Sequence, residues 1–373
     1  MKIRSIEDVP LLSTNLRIMK FWSFLLDHNW RRYFALIPYI FINTTQFLDI
    51  YFSKEPIDVI VRNAYVAVLF FDAIVRAVLV CFNRFEYEEF MEKIQVLYDD
   101  LVDSEDAILR KMLRECTVAS RFISKVNLIM GCSSSVAFNM YPLFATTRVL
   151  PFGIYVPGID KYETPYYQIC FLFQLIITPA GCCMYLPFTN LIVSFILFCI
   201  LMCKVLQHKL RNLKDVSNEK AREGIVWCIK YQLKLINFVD TINDLTTYIF
   251  LFEFMAFGVM LCAMLFLLVI VETVGQMVVI CSYIFLIFGQ SVIMYYFANE
   301  LYDESLKVAI AAYESNWFDF DVSTQKTIKL LILRAQKPCA ILVGKVYPMN
   351  LEMFQSLLNA TYSYFTLLKR LYG

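Results

Sequence analysis

Apolar residues gather into seven stretches, each near the length of a membrane crossing, and charge is concentrated between them. About 20 mainly apolar residues are needed for a helix to cross ~30 Å of hydrocarbon. By that measure the predicted spans are Tyr33–Phe52, Val59–Phe82, Arg121–Phe144, Ile169–Cys203, Tyr248–Val271, Gly275–Ala298 and Met349–Leu371. The fourth outreaches a bilayer and should project past it. The seventh rests on amphipathicity, since it contains Glu352, Gln355, Ser356, Asn359, Ser363 and Thr366. Two connections also read as amphipathic helices. Phe90, Ile94, Leu97 and Leu101 recur at helical spacing in 85–102, as do Ile225, Ile229, Leu233, Ile236 and Val239 in 221–245. Segment 146–168, with Pro151, Pro157 and Pro165, reads instead as an ordered lid.

Composition agrees with an all-α, seven-helix membrane bundle: 59% of the 373 residues are hydrophobic and 18% charged. Soluble domains run nearer half apolar and a quarter charged. A net charge of +1 excludes a basic nucleic-acid-binding domain and hides an asymmetry. Of 34 Lys and Arg, 26 fall in segments 1–32, 83–121, 204–245 and 299–348, and 5 in the alternate connections and the C-terminus. Basic residues favour the cytosolic side. The N-terminus is therefore expected in the cytosol and the C-terminus outside, the reverse of a G-protein-coupled receptor. The first residues do not read as a signal peptide.

The candidate chemistry is sparse. None of the 12 Cys forms a CxxC, and a small polarizable core residue is the simpler reading of most. His28 and His208 are the only histidines, so no histidine-rich metal site is expected. P-loop, GxGxxG, GxSxG and HExxH are all lacking, so neither enzyme activity nor a cofactor is expected. Arg62, Arg76 and Lys125 lie within spans. Asp72 and Arg76, at i and i+4, suit an ion pair inside the bundle. Glu253, also within a span, needs a partner or water.

The C-terminal third carries a more specific pattern. Tyr296-Phe297-Ala298-Asn299-Glu300-Leu301, Glu304-Ser305, Ala312-Tyr313-Glu314-Ser315-Asn316-Trp317 and Arg334-Ala335-Gln336-Lys337-Pro338 resemble the insect odorant receptor family. So does the ending Tyr362-Ser363-Tyr364-Phe365-Thr366-Leu367-Leu368. Upstream, Leu150 to Pro157 and Thr164-Pro165-Tyr166-Tyr167 are similar to that family's second extracellular loop. The related gustatory receptors end in a TY-(five apolar)-QF pattern, from which Ser363-Tyr364 to Arg370-Leu371 departs.

The resemblance implies an odorant-tuned subunit of a ligand-gated, non-selective cation channel in sensory-neuron plasma membrane. Its partners would be the shared odorant receptor co-receptor in a heterotetramer, a small volatile, lipid, and permeating monovalent and divalent cations. The implied domains are a cytosolic segment 1–32, a six-helix bundle 33–298, a cytosolic anchor 299–348 and a pore-lining helix 349–373. On the last helix, Ser356, Asn359, Ser363, Thr366 and Arg370 form one polar stripe, which suits either a water-facing wall or an interhelical hydrogen-bond seam. The resemblance favours the wall, with Leu367 and Leu371 as a hydrophobic gate. Arg370 stands where the family usually has glutamine.

The implied pocket lies in the outer half of the bundle. It would draw on Tyr65, Leu69 and Asp72 of the second span and Ser134, Phe138 and Tyr141 of the third. The fourth would add Phe171, Gln174, Leu175 and Thr178, and the sixth Met277, Ile280, Cys281 and Ile284. Apolar pockets share the composition of a bundle core. Such a set suits a small volatile, aromatic or heterocyclic. A transporter, with charged midplane residues, and a metabotropic receptor, with the opposite topology, are the rival classes.

Overall fold

A computed structural model describes residues 5–27, 30–144, 148–213 and 218–372; the side chains of Asn218, Leu371 and Tyr372 lie outside the description, as does His28. Ten helices account for nearly all of it. They are α1 (Ser13–Phe21), α2 (Arg31–Phe52), α3 (Ile57–Phe82), α4 (Arg84–Val102), α5 (Ala107–Asn139), α6 (Tyr166–Arg211), α7 (Asn218–Ile270), α8 (Val274–Tyr313), α9 (Val322–Ala335) and α10 (Leu351–Tyr372). A two-residue hairpin, β1 (Leu342–Val343) with β2 (Tyr347–Pro348), precedes α10. Among the described residues, α3, α6, α7 and α8 are long and apolar enough to cross a membrane by length and composition.

The spans expected from the pattern correspond to helices, but the helices run further. At 1.5 Å per residue, α6 (46 residues), α7 (53) and α8 (40) reach ~69, ~80 and ~60 Å. The amphipathic stretch 221–245 is the first half of α7 and has no break before the fifth span. The third span is corrected at both ends: α5 starts at Ala107 and stops at Asn139, and a short 3-10 turn Tyr141–Phe144 replaces its last residues.

Helix α6 is the axis of the bundle. Every residue from Leu186 to Cys203 is buried, which explains why its sequence is apolar all round. It packs along α5 and α8, while α3 packs on α7 and α10 on α7. The segment before the first span belongs to this core as well. Leu12 and Leu16 of the α1 region are fully buried, Asn15 donates to Ser124 Oγ (3.0 Å), and Ser120 Oγ donates to the Leu11 carbonyl (3.0 Å). By contrast α2 exposes Phe34, Ile37 and Phe41, the composition of a lipid-facing side.

At the end of the bundle away from α4 and α9, segment 148–165 folds onto the helix tips. Asp49 is its anchor. It accepts from Asn63 Nδ2 (3.0 Å) and Lys161 Nζ (2.7 Å), and Asn63 Oδ1 accepts from the Gly153 amide (2.9 Å). A Cβ at position 153 would overlap both Asp49 and Asn63, so the backbone's approach requires glycine. Tyr162 donates to Glu55 (3.0 Å), and burial together with that acceptor pushes its phenol above the usual range. At the opposite end, burial pushes the Glu304 carboxyl up, but Lys307 and Gln207 donate to it and hold it below its ordinary value.

Candidate functional site

Beneath the folded segment, α3, α5, α6, α7, α8 and α10 enclose a cavity of about 120 Å³, counted as the space open to the centre of a water molecule. One water needs about 10–15 Å³ by that measure, so there is room for roughly ten small atoms. Helical spacing explains each contribution. Residues Val66, Leu69, Phe70, Asp72 and Ala73 are one face of α3. Thr178, Gly181, Cys182, Tyr185, Leu186 and Thr189 are one face of α6, and Phe250, Glu253, Phe254, Phe257 and Met260 one face of α7. From α8 come Tyr283, Leu286, Ile287, Gln290, Ser291, Met294 and Tyr295. Leu357 of α10 and Met349 just before it complete the wall.

The folded segment roofs the helices above the cavity without lining it. Phe152 is fully buried with its ring 5.3 Å from that of Phe70. Gln174 grips the Phe152 backbone from both sides, donating to its carbonyl (2.8 Å) and accepting from its amide (3.2 Å). On the opposite wall Phe138 meets Tyr283 at 5.1 Å.

A charged cluster closes one side. Arg76 of α3, 2% exposed, pairs with Asp72 one turn away (3.5 Å) and with Glu253 of α7. It also donates to Thr189 Oγ1 (2.5 Å) and lies 3.9 Å from the Tyr185 ring centroid. Three helices are thus tied through one guanidinium. The partner Glu253 needs is Arg76, some 177 residues away in sequence.

Of the residues expected to hold ligand, Leu69, Asp72, Phe138 and Thr178 line the cavity. Tyr65 and Ser134 are buried beside it, and Tyr141 is buried under the Arg62 guanidinium at 4.5 Å. Gln174 serves the roof, Phe171 stacks on Tyr167, and Leu175 is exposed. On α8, Ile280 is buried, Met277 and Ile284 are half-buried, and Cys281 is exposed. None of these four lines the cavity, which begins at Tyr283 and continues towards the α9 end. The cavity therefore lies further along α8 than these four positions. The α7 and α10 contributions went unnamed in the sequence. An acid within an aromatic run, Phe250-x-x-Glu253-Phe254-x-x-Phe257, was the available signal.

The last helix divides into two faces. Phe354, Leu357 and Thr361 are buried against α7 and α8. Close packing occurs at Gly258, where a Cβ would be 3.6 Å from Leu357 and 3.7 Å from Thr361 Oγ1. The Phe354 ring lies 5.9 Å from Phe257, 5.7 Å from Phe288 and 5.0 Å from Tyr295. The other face is open: Ser356, Asn359, Ser363 and Arg370 are exposed, and Leu367 is 55% exposed. Leu371 lies outside the described side chains. Ser363 donates to the Asn359 carbonyl (2.9 Å) and Thr366 to that of Ser363 (2.8 Å), so neither hydroxyl bonds to another helix.

A family model described as 7tm odorant receptor matches residues 57–362. The chain is 55% identical to odorant receptor 30a of Drosophila melanogaster, over 100% of both chains. It is 42% identical to odorant receptor 10 of Aedes albopictus, again over 100% of both. With odorant receptor Or2 of Anopheles gambiae it shares 39% identity, over 99% of this chain and 100% of that one. The fold is similar to that of the insect olfactory receptor OR5 of Machilis hrabei in complex with eugenol, at a TM-score of 0.84 and 16% identity, over 98% of this chain and 100% of that one.

Proposed function

The chain belongs to the insect odorant receptor family, and on that footing we propose that it is an odorant-tuned subunit of a ligand-gated, non-selective cation channel. The observation that carries this reading is the shared wall between cavity and last helix. Met349 and Leu357 line the cavity, and Phe354 packs on Phe257 and Tyr295, which also line it. A ligand filling that space presses directly on α10. The open polar face of α10 would line the pore, because in lipid such a face must meet water or protein. Leu367 and Leu371 would close it by dewetting.

The excess of basic residues in alternate connections supports a cytosolic N-terminus and an extracellular C-terminus. Segment 148–165 is then an extracellular roof, and 299–348 with the long ends of α6 and α7 a cytosolic anchor. The resemblance supports assembly with the odorant receptor co-receptor in sensory-neuron plasma membrane. A ligand of about ten heavy atoms gains roughly 5–8 kcal/mol, whereas moving a gate from 1:99 to 99:1 needs ~5.5 kcal/mol of differential binding. Only the part of that energy that differs between the closed and open states shifts the gate, so one odorant site biases it without saturating it.

The test is expression with and without the co-receptor, recording current against a panel of volatiles. Odorant-gated cation current with it and silence without it are expected. Absence of current in both, despite surface expression, would overturn the reading.

A further inference from the structure

Two arginines stand without counter-charge where α2 and α3 meet the basic side of the chain. Arg32 lies in the first turn of α2, and Arg84 opens α4 two residues after α3 ends at Phe82. Both guanidinium charges act on the Cys81 thiol, so they share one corner. Trp22 packs on the same apolar cluster as Cys81, with Phe24, Leu36 and Ala77. Among the described residues neither arginine forms an ion pair or a hydrogen bond. Each is half sunk: Arg32 Nε and Arg84 Nη1 are shut from water, and the remaining guanidinium nitrogens open outward. The rings of Tyr33 and Phe85 lie 5.2 and 4.4 Å from the two groups. Glu88, at i+4 from Arg84, is the acid that helical spacing would pair with it. It accepts instead from the Leu26 amide (2.9 Å). A turn with left-handed Ser23 and Leu26 (φ 57° and 63°) brings that amide to α4, and Asp27 accepts from the Ser23 hydroxyl (3.0 Å). The nearby acids are thus committed to the turn. A half-buried charge at a helix end calls for a partner.

The surface around this corner is aromatic. Trp30, Tyr33, Phe34, Phe82 and Phe85 are all exposed, the composition of a membrane–water interface. From Phe34, exposed Ile37 and Phe41 continue along α2 at helical spacing. We propose that the corner holds one anionic phospholipid, with its phosphate between Arg32 and Arg84 and an acyl chain along Phe34, Ile37 and Phe41. A guanidinium fork suits phosphate oxygens, and bonds between charged partners are the strong ones. Two guanidiniums without an acid in ion-pair reach favour a headgroup of net negative charge, whereas a zwitterionic lipid brings its own cation. Anionic lipids belong to the cytoplasmic leaflet, so the inference rests on the orientation proposed above. A lipid so held ties the starts of α2 and α4 together.

The test mixes the detergent-purified full chain with equal amounts of phosphatidylglycerol and phosphatidylcholine and reads the lipid retained by native mass spectrometry. At about fivefold per arginine near a lipid surface, phosphatidylglycerol should be retained about tenfold or more over phosphatidylcholine. Arg32→Gln with Arg84→Gln should reduce that preference to about threefold or less, while Arg17→Gln, at an exposed position of α1, should leave it unchanged. Arg84→Gln alone serves if the double variant is not produced, and should cut the preference severalfold. Excess inorganic phosphate, which lacks the acyl chain, should not displace the lipid; displacement would overturn the lipid assignment. Equal retention of the two lipids overturns the proposal, as does a preference that survives the double substitution or falls as much with Arg17→Gln. An N-terminal tag reached by antibody outside intact cells overturns the leaflet assignment together with the orientation. Selective retention by a chain that passes no current with the co-receptor overturns the channel reading and upholds the lipid site.

Discussion

Replacing Arg76 by leucine removes the single cation that serves Asp72 and Glu253 and strands two carboxylates in the bundle. Removing one partner of a buried ion pair typically costs about 3–5 kcal/mol. The guanidinium also lies on the Tyr185 ring at 3.9 Å, a desolvated cation–π contact worth about 2 kcal/mol. About 3 kcal/mol, the lower end of the ion-pair range alone, changes the folded-to-unfolded ratio by more than a hundredfold. Because α3, α6 and α7 meet at this residue, the loss should appear as poor assembly and not as altered tuning. Surface biotinylation and the thermal midpoint of the detergent-solubilised channel measure it. Arg76→Leu should lower surface protein severely and the midpoint by several degrees. The triple Asp72→Leu, Arg76→Leu, Glu253→Leu should recover much of both, since replacing a buried charged triad by apolar residues is often neutral or stabilising. An unchanged midpoint in the single variant would refute the reasoning. A triple variant as impaired as the single one would assign the loss to packing instead of charge.

Phe354→Ala should remove the ring contacts with Phe257, Phe288 and Tyr295 and lower the maximal odorant current per surface channel, read by patch recording alongside surface labelling. Gly153→Ala should force the roof away from Asp49 and Asn63, exposing segment 148–165 to added protease in intact cells more readily than in the wild type. Leu367→Ser, on the open face of α10, should produce current without odorant by wetting the gate. Arg370→Gln should raise relative divalent permeability, read from reversal potentials in calcium-rich solution; unchanged potentials would count against a role for Arg370 in the permeation path.

The hydrophobic pattern located α3, α6, α7 and α8, the four helices among the described residues long and apolar enough to cross a membrane, because burial in lipid or core demands an unbroken apolar run. It placed α10 by its two faces alone. It did not show that α1 would be buried, since Leu12 and Leu16 find their partners on α5 and α6, far along the chain. The cavity was only partly legible for a related reason. Leu69, Phe138 and Thr178 follow from helix phase, but the depth of a cavity depends on how far neighbouring helices slide past one another. That offset moved the α8 lining from Ile280 and Ile284 to Tyr283, Ile287 and Gln290. The pairing of Glu253 with Arg76 is a long-range contact that spacing within one helix cannot supply, whereas Asp72 with Arg76 could be read at i and i+4.

Helix α7 has no break between the cavity and its first residue. From Phe257 back to Asn218 is about 58 Å at 1.5 Å per residue. A tilt of one degree at the cavity would therefore sweep the far end by about 1 Å, enough to disturb side-chain packing there. The same holds for α8, which runs unbroken from Tyr283 in the cavity to Tyr313. Rigid rods fixed at one end cannot be the parts that yield. Compliance falls to α10, which hangs from the hairpin Leu342–Pro348 and meets the cavity through Phe354 and Leu357. The length of the helices thus sets the walls of the cavity apart: α7 and α8 are long levers, and α10 is a short helix of 22 residues hung from a hairpin.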